Sequence, residues 1–448
     1  SPQLDWRYLT TSQKHSCLSL KDQKSLWPRG KALGGTSNLN FMVYIRGHPF
    51  DYDNWAYLTG DDRWNYKNLL PYFLRSENYN GPYEDGGYHG HGGPLNIEVD
   101  SYNPLTKYFL EAAQEMGYPR RDLNAPYNEA FSEFDYTKKN GRRWGSYQAF
   151  IQSIRKTRKN LTIRKYALVS RVLFKGSNNV AHGVEYEHHY RRYIARAKNE
   201  VIISAGTVAS PKILMQSGIG PQYHLSALGI NPLVNSPAVG ANLQDHVIGF
   251  TGPFTIEAPL TFLIDRDTSP KHFIKFMQSG QGPLSASGVQ SCGLVASNFS
   301  KQYLNPPDTI WPDLQLILFG IPVHKQGPAL FGTLFHLKPD VAERFYRPVA
   351  GKDSFHIMSI AARPKSRGKV LLGSKNPRDP PVIDPNYLSE KDDVEIIKEG
   401  MKKAVHMVEN TKAFQSIGAK LSDTPFPSCA HLEFRSDPYW ECYIREYT

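Results

Sequence analysis

The sequence predicts a mixed α/β fold, and three observations lead to that prediction. A β-branched run, Glu200–Ser204, ends at Ala205-Gly206 and is followed by a helix-like segment, which together form a strand–turn–helix element. Apolar residues recur at helical spacing in other segments, for example 390–409. Short strand-like runs separated by turns occupy 161–186 and recur from residue 314 onward.

Helical spacing of apolar side chains predicts three long helices. They cover 65–78, where Leu69 and Phe73 lie on one face, 105–116, and 390–409. β-Branched and aromatic composition predicts the strands, which are the segments 161–163, 168–174, 183–186, 314–318, 354–361, 369–372 and 381–384. The last two are predicted to form a hairpin or meander.

The strand–turn–helix element around residue 206 carries the most detailed local prediction. Glu200–Ser204 has the composition of a strand buried on both faces of a sheet. Ser210 suits an N-cap and Pro211 suits the first helical position, so the helix is expected to cover 212–216. Gly218 then supplies the left-handed residue that ends it.

Composition is that of an ordinary globular protein. The 448 residues are 40% hydrophobic and 21% charged, which argues against disorder, and no apolar stretch is long enough for a membrane span. The formal net charge is +11, with basic residues concentrated in 155–165 and 191–198. No nucleic-acid-binding motif accompanies them, so we interpret them as a solvated basic face and expect no nucleic-acid partner.

The four cysteines and two glycosylation acceptor patterns bear on the compartment. Cys429 and Cys442 are close enough to pair in an oxidising compartment, but two buried thiols fit the sequence equally well. No cysteine has the spacing of a metal site. The triplets beginning at Asn160 and Asn298 match the N-glycosylation pattern and favour secretion slightly.

Paired glycines at Gly34 and Gly35 form the strongest local motif. Glycines without a Cβ let a bulky ligand approach the backbone, and Thr36, Ser37 and Asn40 supply hydrogen-bonding groups beside them. Taken alone, the motif fits an ordinary tight turn better than a cofactor site.

Together with other motifs, this turn resembles the glucose–methanol–choline (GMC) oxidoreductases, above all their arthropod-type glucose dehydrogenase branch. The segments resemble family motifs in family order and span nearly the whole chain; they are 30–53, 206–220, 239–246, 282–284, 363–368 and 384–388. Any one of these matches would be weak evidence, whereas all of them in order are strong evidence.

The resemblance implies a more detailed fold of mixed α/β and α+β character. An incomplete Rossmann-like FAD-binding domain would be interleaved with a substrate domain built on an antiparallel sheet. The FAD-binding parts are expected at 1–50, 158–250 and 366–388. The substrate-binding parts are expected at 51–157, 251–365 and 389–448.

The resemblance also assigns site residues, with FAD as the cofactor. The predicted cofactor-binding residues are Gly34, Gly35, Thr36, Asn40, Phe41, Met42, Val43, Val169, Ala205 and Gly206. The backbone of 40–43 would lie beside the isoalloxazine, Val169 would hold the adenine through its main chain, and the turn at Gly206 would approach the adenosine half. The Gly34–Gly35 turn and the Gly206 corner are thus expected to flank a single flavin.

Family function implies hydride transfer from the CH–OH group of a small alcohol or sugar to the flavin, helped by a histidine near it. Quinone or oxygen would then accept the electrons, and the family suggests an extracellular location. No glycine run of the GxGxxG type precedes Trp27, and the catalytic histidine segment is expected beyond Thr448, so these 448 residues contain no predicted catalytic residue. We therefore expect an inactive fragment of an enzyme; the alternative is a non-catalytic binding or scaffold protein with the same fold.

Overall fold

The computed structural model describes residues 3–83, 86–303 and 310–448. Its α-helices, in chain order, are α1 (Pro49–Thr59), α2 (Tyr66–Ser76), α3 (Thr106–Glu115), α4 (Gly206–Gln216), α5 (Gln222–Ala227), α6 (Ile264–Asp267), α7 (Pro270–Ser279), α8 (Asn298–Tyr303), α9 (Pro328–Leu334), α10 (Pro339–Tyr346), α11 (Lys391–Asn410), α12 (Lys412–Gln415) and α13 (Asp437–Glu446). In the part of the chain that the structure describes, none of these helices is both long and apolar enough to span a membrane.

Strands form several separate sheets, of which one is large. The strands are β1 (Tyr8–Leu9), β2 (Leu26–Trp27), β3 (Val43–Tyr44), β4 (Glu77–Asn80), β5 (Leu95–Val99), β6 (Ala130–Glu133), β7 (Asp135–Tyr136), β8 (Lys138–Lys139), β9 (Arg142–Arg143), β10 (Ala167–Lys175), β11 (Val180–His188), β12 (Arg191–Arg196), β13 (Ile219–Gly220), β14 (Val234–Asn235), β15 (Ile248–Thr255), β16 (Val289–Val295), β17 (Leu314–Phe319), β18 (Ser354–Ala361), β19 (Lys369–Leu371), β20 (Val382–Asp384) and β21 (Lys420–Leu421).

The large sheet has six strands in the order β21-β15-β18-β17-β16-β6, and every neighbouring pair is antiparallel. The expectation of an antiparallel sheet is therefore confirmed. Helix α11 packs across one face of it. At Gly249 an added Cβ would lie 2.5 Å from Ile397, and at Gly400 it would lie 2.6 Å from Leu314, so only glycine permits this close approach on either element.

The long helices predicted from periodicity are confirmed as α2, α3 and α11. The three helices bury their apolar side chains to different extents. In α11 the side chains of Val394, Ile397 and Met401 are buried, whereas α2 buries none of its side chains fully. Periodicity therefore identified the helices, but it did not distinguish a core helix from a surface one.

Most of the predicted strands are also present. The run 168–174 lies in β10 and 183–186 lies in β11, which pair antiparallel and continue to β12. The runs 314–318 and 354–361 form β17 and β18 at the centre of the six-stranded sheet. The predicted hairpin at 369–372 and 381–384 is the antiparallel pair β19–β20.

Two strand predictions are wrong. Residues 161–163 are irregular, and Glu200–Ser204 forms no strand although its composition is strongly β-branched. A strand requires a partner for its backbone N–H and C=O groups, and no strand of the described residues pairs with this run. The expected burial on both faces is also wrong, since Ile202 remains 77% exposed.

The start of helix α4 differs from its prediction as well. The helix begins at Gly206 rather than at Lys212, and the N-cap position is Ala205. Ser210 therefore lies inside the helix, where its hydroxyl accepts a hydrogen bond from the backbone N–H of Ala205 at 3.1 Å. Pro211 has no N–H and therefore cannot donate to the Thr207 carbonyl. The helix tolerates this loss because Thr207 is exposed, so water can reach that carbonyl.

Cysteine pairing was open from the sequence, and the structure decides it. Cys429 and Cys442 form a disulfide that joins the short helix at 427–429 to α13. Cys17 and Cys292 are free and buried, and burial raises the pKa of the Cys17 thiol to about 11. Such thiols are protonated and unreactive at neutral pH.

A buried ionic cluster stabilises the region that follows the glycine turn. The Arg46 guanidinium donates to Glu77 at 2.8 Å, and the His89 imidazole bridges Glu77 at 3.2 Å and Asp122 at 2.9 Å. His89 stacks on Tyr79 with 3.5 Å between ring centroids. Burial alone would lower the pKa of His89, but its hydrogen bonds to Asp122 and Glu77 outweigh that effect and raise it to about 9.

We expect this cluster to make stability depend on pH. Between the ordinary histidine pKa of 6.5 and about 9, the folded chain binds more protons than the unfolded chain, so the unfolding free energy falls as pH rises through this window. The loss attributable to His89 is up to about 3 kcal/mol. Urea unfolding at pH 6 and pH 9.5 measures it.

In the His89→Gln variant this pH-dependent loss should disappear, because glutamine does not titrate. His91→Gln is the matched control, since His91 is exposed and lies two residues away. An equal loss in the native chain and in His89→Gln would contradict the assignment.

Candidate functional site

The glycine turn predicted as the cofactor site forms a tightly closed loop. Gly34 and Gly35 both have positive φ, at 94° and 55°, and a short 3₁₀ helix runs from Gly35 to Asn38. Gly30 closes the loop, because a Cβ there would lie 2.0 Å from the Gly35 carbonyl oxygen. At Gly35 itself nothing lies within 4 Å of an added Cβ, so this residue faces open space.

Hydrogen bonds from a neighbouring segment hold the turn in place. The Ser37 hydroxyl donates to the Gly34 carbonyl at 2.6 Å and accepts from the Ser146 backbone N–H at 3.0 Å. The Ser146 hydroxyl also donates to the Gly34 carbonyl, at 3.0 Å. The polar side chains of the motif therefore serve the backbone, while the outer face of the turn stays exposed.

Arg143 lies beneath the next part of the motif. Its guanidinium donates to the Ser37 carbonyl at 2.9 Å, to Asn40 Oδ1 at 2.8 Å and to the Asn40 carbonyl at 2.8 Å. Partial burial lowers the pKa of Arg143, and the residue forms no ion pair with a carboxylate among the described residues. An arginine remains charged under these conditions, so a positive charge lies directly behind residues 37–40.

A β-hairpin positions Arg143. Strands β8 and β9 pair around Asn140 and Gly141, both with positive φ, which is the geometry of a two-residue hairpin turn. Sequence reasoning missed both the hairpin and Arg143, although Asn-Gly between two short runs is a signal that could have identified the turn.

Asn40 also folds its side chain over the segment that follows. Its Oδ1 accepts the backbone N–H of Met42 at 3.1 Å, which closes a local turn with Met42 at φ 63°. The Met42 carbonyl in turn accepts from the Thr137 backbone N–H at 2.7 Å, and Val43 pairs with Tyr136 in the sheet. Residues 40–43 are thus fixed from one side and open on the other.

Phe41 connects this segment to the six-stranded sheet. Its ring is 51% exposed and meets Phe319 edge-to-face, with 6.4 Å between centroids. Phe319 lies at the end of β17, on the opposite face of the sheet from the residues that pack on α11. Phe41 therefore brings the turn against the second face of the sheet.

A cavity on another part of the chain brings Val169 and Ala205 together. Both line a cavity of about 470 Å³ between β10, β11 and the exposed run 200–204, with apolar neighbours such as Val201 and Ile213. Gly206 has φ +86° and nothing within 4 Å of an added Cβ, so the N-terminus of α4 is open beside the cavity. An adjacent cavity of about 330 Å³ joins α4 to the segment 239–244.

Comparison with known proteins identifies the family. The sequence profile described as GMC oxidoreductase, N-terminal part, matches residues 11–248, and the C-terminal part matches residues 364–448. The chain belongs to the GMC oxidoreductase family. Membership agrees with the order of the motifs predicted from the sequence.

Relatives within the GMC family align with most of the chain or nearly all of it. Glucose dehydrogenase [FAD, quinone] of Drosophila pseudoobscura pseudoobscura is 35% identical over 99% of this chain and 68% of its own length. Oxygen-dependent choline dehydrogenase of Brucella anthropi is 34% identical over 87% of this chain and 64% of its own length.

Solved structures share the GMC fold. Pyridoxine 4-oxidase from Mesorbium loti superposes with a TM-score of 0.75 and 26% identity, covering 99% of this chain and 76% of its own. A formate oxidase from Aspergillus oryzae, a variant with an altered arginine, has a TM-score of 0.79 at 24% identity and likewise covers 99% of this chain and 77% of its own. The mixed α/β fold class is thereby confirmed.

His246, in the segment 239–246 that resembles a family motif, makes a structural hydrogen bond. Its Nε2 lies 2.9 Å from the Ala362 carbonyl oxygen, which ties the segment to the end of β18. Asp245 in the same segment accepts a hydrogen bond from the Tyr387 hydroxyl. These contacts stabilise the fold and assign no catalytic role.

The closure of the glycine turn can be tested with a matched pair of substitutions. Gly30→Ala should lower the unfolding free energy by about 3 kcal/mol or more, because the new methyl group meets backbone that cannot move away. Gly35→Ala adds the same atom into open space at positive φ, and the expected loss is about 1 kcal/mol. Chemical denaturation of both variants measures the difference; equal losses would refute the closed geometry.

Proposed function

We propose that this chain binds FAD and oxidises the CH–OH group of a small alcohol or sugar. Family membership and the glucose dehydrogenase [FAD, quinone] relative support FAD. The observation that carries the proposal is the turn at 34–43, whose open, uncharged backbone is fixed from behind by Arg143. Such a surface accommodates a flat ring system that needs close backbone approach and fixed hydrogen-bonding groups.

The described residues fit the two ends of a flavin dinucleotide. Residues 40–43 and Gly35, which has open space beside its Cα, offer a wall for the isoalloxazine, and the apolar cavity at Val169 and Ala205 offers a slot for the adenine. Gly34 and Thr36 belong to the same wall, beside the isoalloxazine. Gly206, at the open N-terminus of α4, suits a phosphate. That both places flank one flavin is part of the proposal.

In this proposal, the flavin reacts and the residues of the chain position it and exclude water. Bound FAD supplies the chemistry of hydride acceptance from the carbinol carbon. Arg143 places a positive charge behind the ring-facing segment, where it favours negative charge on a bound ring system. Phe41 and Phe319 form an apolar boundary between this segment and the sheet, which helps exclude water from the reacting groups.

The substrate and the electron acceptor are proposed from relatives. Glucose and choline dehydrogenases among them favour a small hydroxylated substrate, with quinone or oxygen accepting electrons. The disulfide Cys429–Cys442 supports an extracellular location, since such bonds persist in oxidising compartments. We propose further that a polypeptide of these 448 residues alone retains FAD weakly and does not turn over, since it has neither a GxGxxG run before Trp27 nor an assigned catalytic histidine.

Visible spectra test the function directly. The product of the complete reading frame should purify with flavin absorption bands that bleach when an alcohol or sugar is added without oxygen. A polypeptide restricted to these 448 residues should show little bound flavin and no bleaching. Flavin-free product from the complete frame, after incubation with FAD, would reject FAD binding; strong bleaching in the 448-residue polypeptide would reject its inactivity.

Arg143→Gln tests the role of the guanidinium. Loss of three charge-assisted hydrogen bonds loosens residues 37–42, and the dissociation constant for FAD should rise about ten-fold or more. Flavin fluorescence titration measures it without reference to activity. The control is Arg142→Gln, because the neighbouring Arg142 is exposed and its guanidinium lies against Phe276 and Met277 on α7. Equal weakening in both variants would contradict a specific role.

A further inference from the structure

A cavity of about 950 Å³ adjoins the cavity at Val169 and Ala205, with which it shares Val172. It is bounded by β10 and β11 on one side and by the loops at 216–218, 229–233 and 375–378 on the other. None of the ten predicted cofactor residues lines it. It therefore needs an explanation that the proposed oxidoreductase site does not supply.

Positive charge dominates the lining of this cavity, which we call the cationic groove. Its charged residues are Arg171, Lys175, Arg192, Lys375 and Arg378 against Glu185 and Glu187. Both carboxylates are already neutralised, because Glu185 pairs with Arg171 at 3.1 Å and Glu187 pairs with Arg378 at 2.8 Å.

Three cations of the cationic groove remain available. Lys175, Arg192 and Lys375 are exposed, and none of them forms an ion pair within the described part of the chain. Like charges along one concave surface add up to a positive local potential, so these exposed cations favour an anionic ligand there.

An aromatic ring forms part of the rim. Tyr190 lies at the β11–β12 hairpin, is 84% exposed and has the Arg378 guanidinium over its ring at 5.1 Å from the centroid. The Arg378–Glu187 ion pair fixes that guanidinium, so one face of a large amphipathic ring is held at the mouth of the groove. Such a ring packs on the C–H-rich face of a sugar.

The positive surface extends beyond the groove. Arg164 lies over the ring of Tyr186, a residue that lines the groove, with 5.9 Å to the centroid. The loop before it carries Arg155, Lys156, Arg158 and Lys159, all exposed. A ligand longer than the groove would therefore meet further positive charge at Arg164.

The disulfide Cys429–Cys442 favours one class of polyanion. Disulfides persist in oxidising, extracytoplasmic compartments, where long polyanions are acidic polysaccharides rather than nucleic acids. We propose that the cationic groove binds an anionic polysaccharide, with sulfate or carboxylate groups on Lys175, Arg192 and Lys375 and a sugar ring on Tyr190. This binding site is separate from the proposed oxidation of alcohols.

Charge-reversal variants with a matched control test the proposal. Lys175→Glu/Lys375→Glu should weaken binding to heparin about ten-fold, measured by titration at fixed salt, and lower the salt needed for elution from a heparin column. The control Lys14→Glu/Lys67→Glu makes the same change in net charge at exposed lysines elsewhere, and it should change binding less than two-fold. Thermal unfolding of all variants verifies that each one folds.

Tyr190→Ala separates sugar contact from charge. It should weaken binding to heparin and to polygalacturonate while leaving binding of inorganic polyphosphate unchanged. An equal loss of heparin affinity in the Lys175→Glu/Lys375→Glu and Lys14→Glu/Lys67→Glu variants would mean that only net charge matters. That result would overturn the proposed site. Absence of heparin binding, or full displacement of heparin by an equal charge of single-stranded DNA, would overturn the assignment to polysaccharide.

Discussion

The close approach of α11 to the six-stranded sheet is the constraint from which the rest of the arrangement follows. Gly249 on the sheet and Gly400 on the helix leave no room for a side chain, so the helix lies directly on the strands. One face of the sheet is thereby sealed by buried apolar residues such as Ile397 and Met401. The opposite face is left for Phe319 and its contact with Phe41, which brings the glycine turn to the sheet.

The turn itself depends on groups that come from far along the chain. Ser146 and Arg143 supply the hydrogen bonds that Gly34, Ser37 and Asn40 accept, over a separation of more than one hundred residues. Because these bonds occupy the inner side of the backbone, its outer side is left open, as the free space beside Gly35 shows. A site for a flat ligand can thus be built without any side chain projecting into it.

Sequence reasoning succeeded where a local rule is sufficient. Apolar periodicity identified α3 and α11, and β-branched composition identified β10, β17 and β18. It failed at Glu200–Ser204, because strand formation also needs a partner, which composition does not encode. It missed Arg143 for a related reason: neither charge nor spacing along the chain indicates that residue 143 lies under residue 40. The pairing of Cys429 with Cys442 likewise needed three-dimensional distance.

Under the two proposed sites, the basic residues behind the net charge of +11 differ in one physical respect. Arg143 is immobilised by three hydrogen bonds to carbonyl oxygens, so its charge has a fixed position and no conformational entropy is lost when a ligand arrives. Lys175 and Lys375 are exposed and carry flexible charges, so a ligand there must order them and compete with salt. Fixed charge favours recognition of one geometry, as a cofactor requires. Flexible charge favours any ligand with repeated anionic groups, so a single basic composition can serve both a specific site and a broadly selective surface.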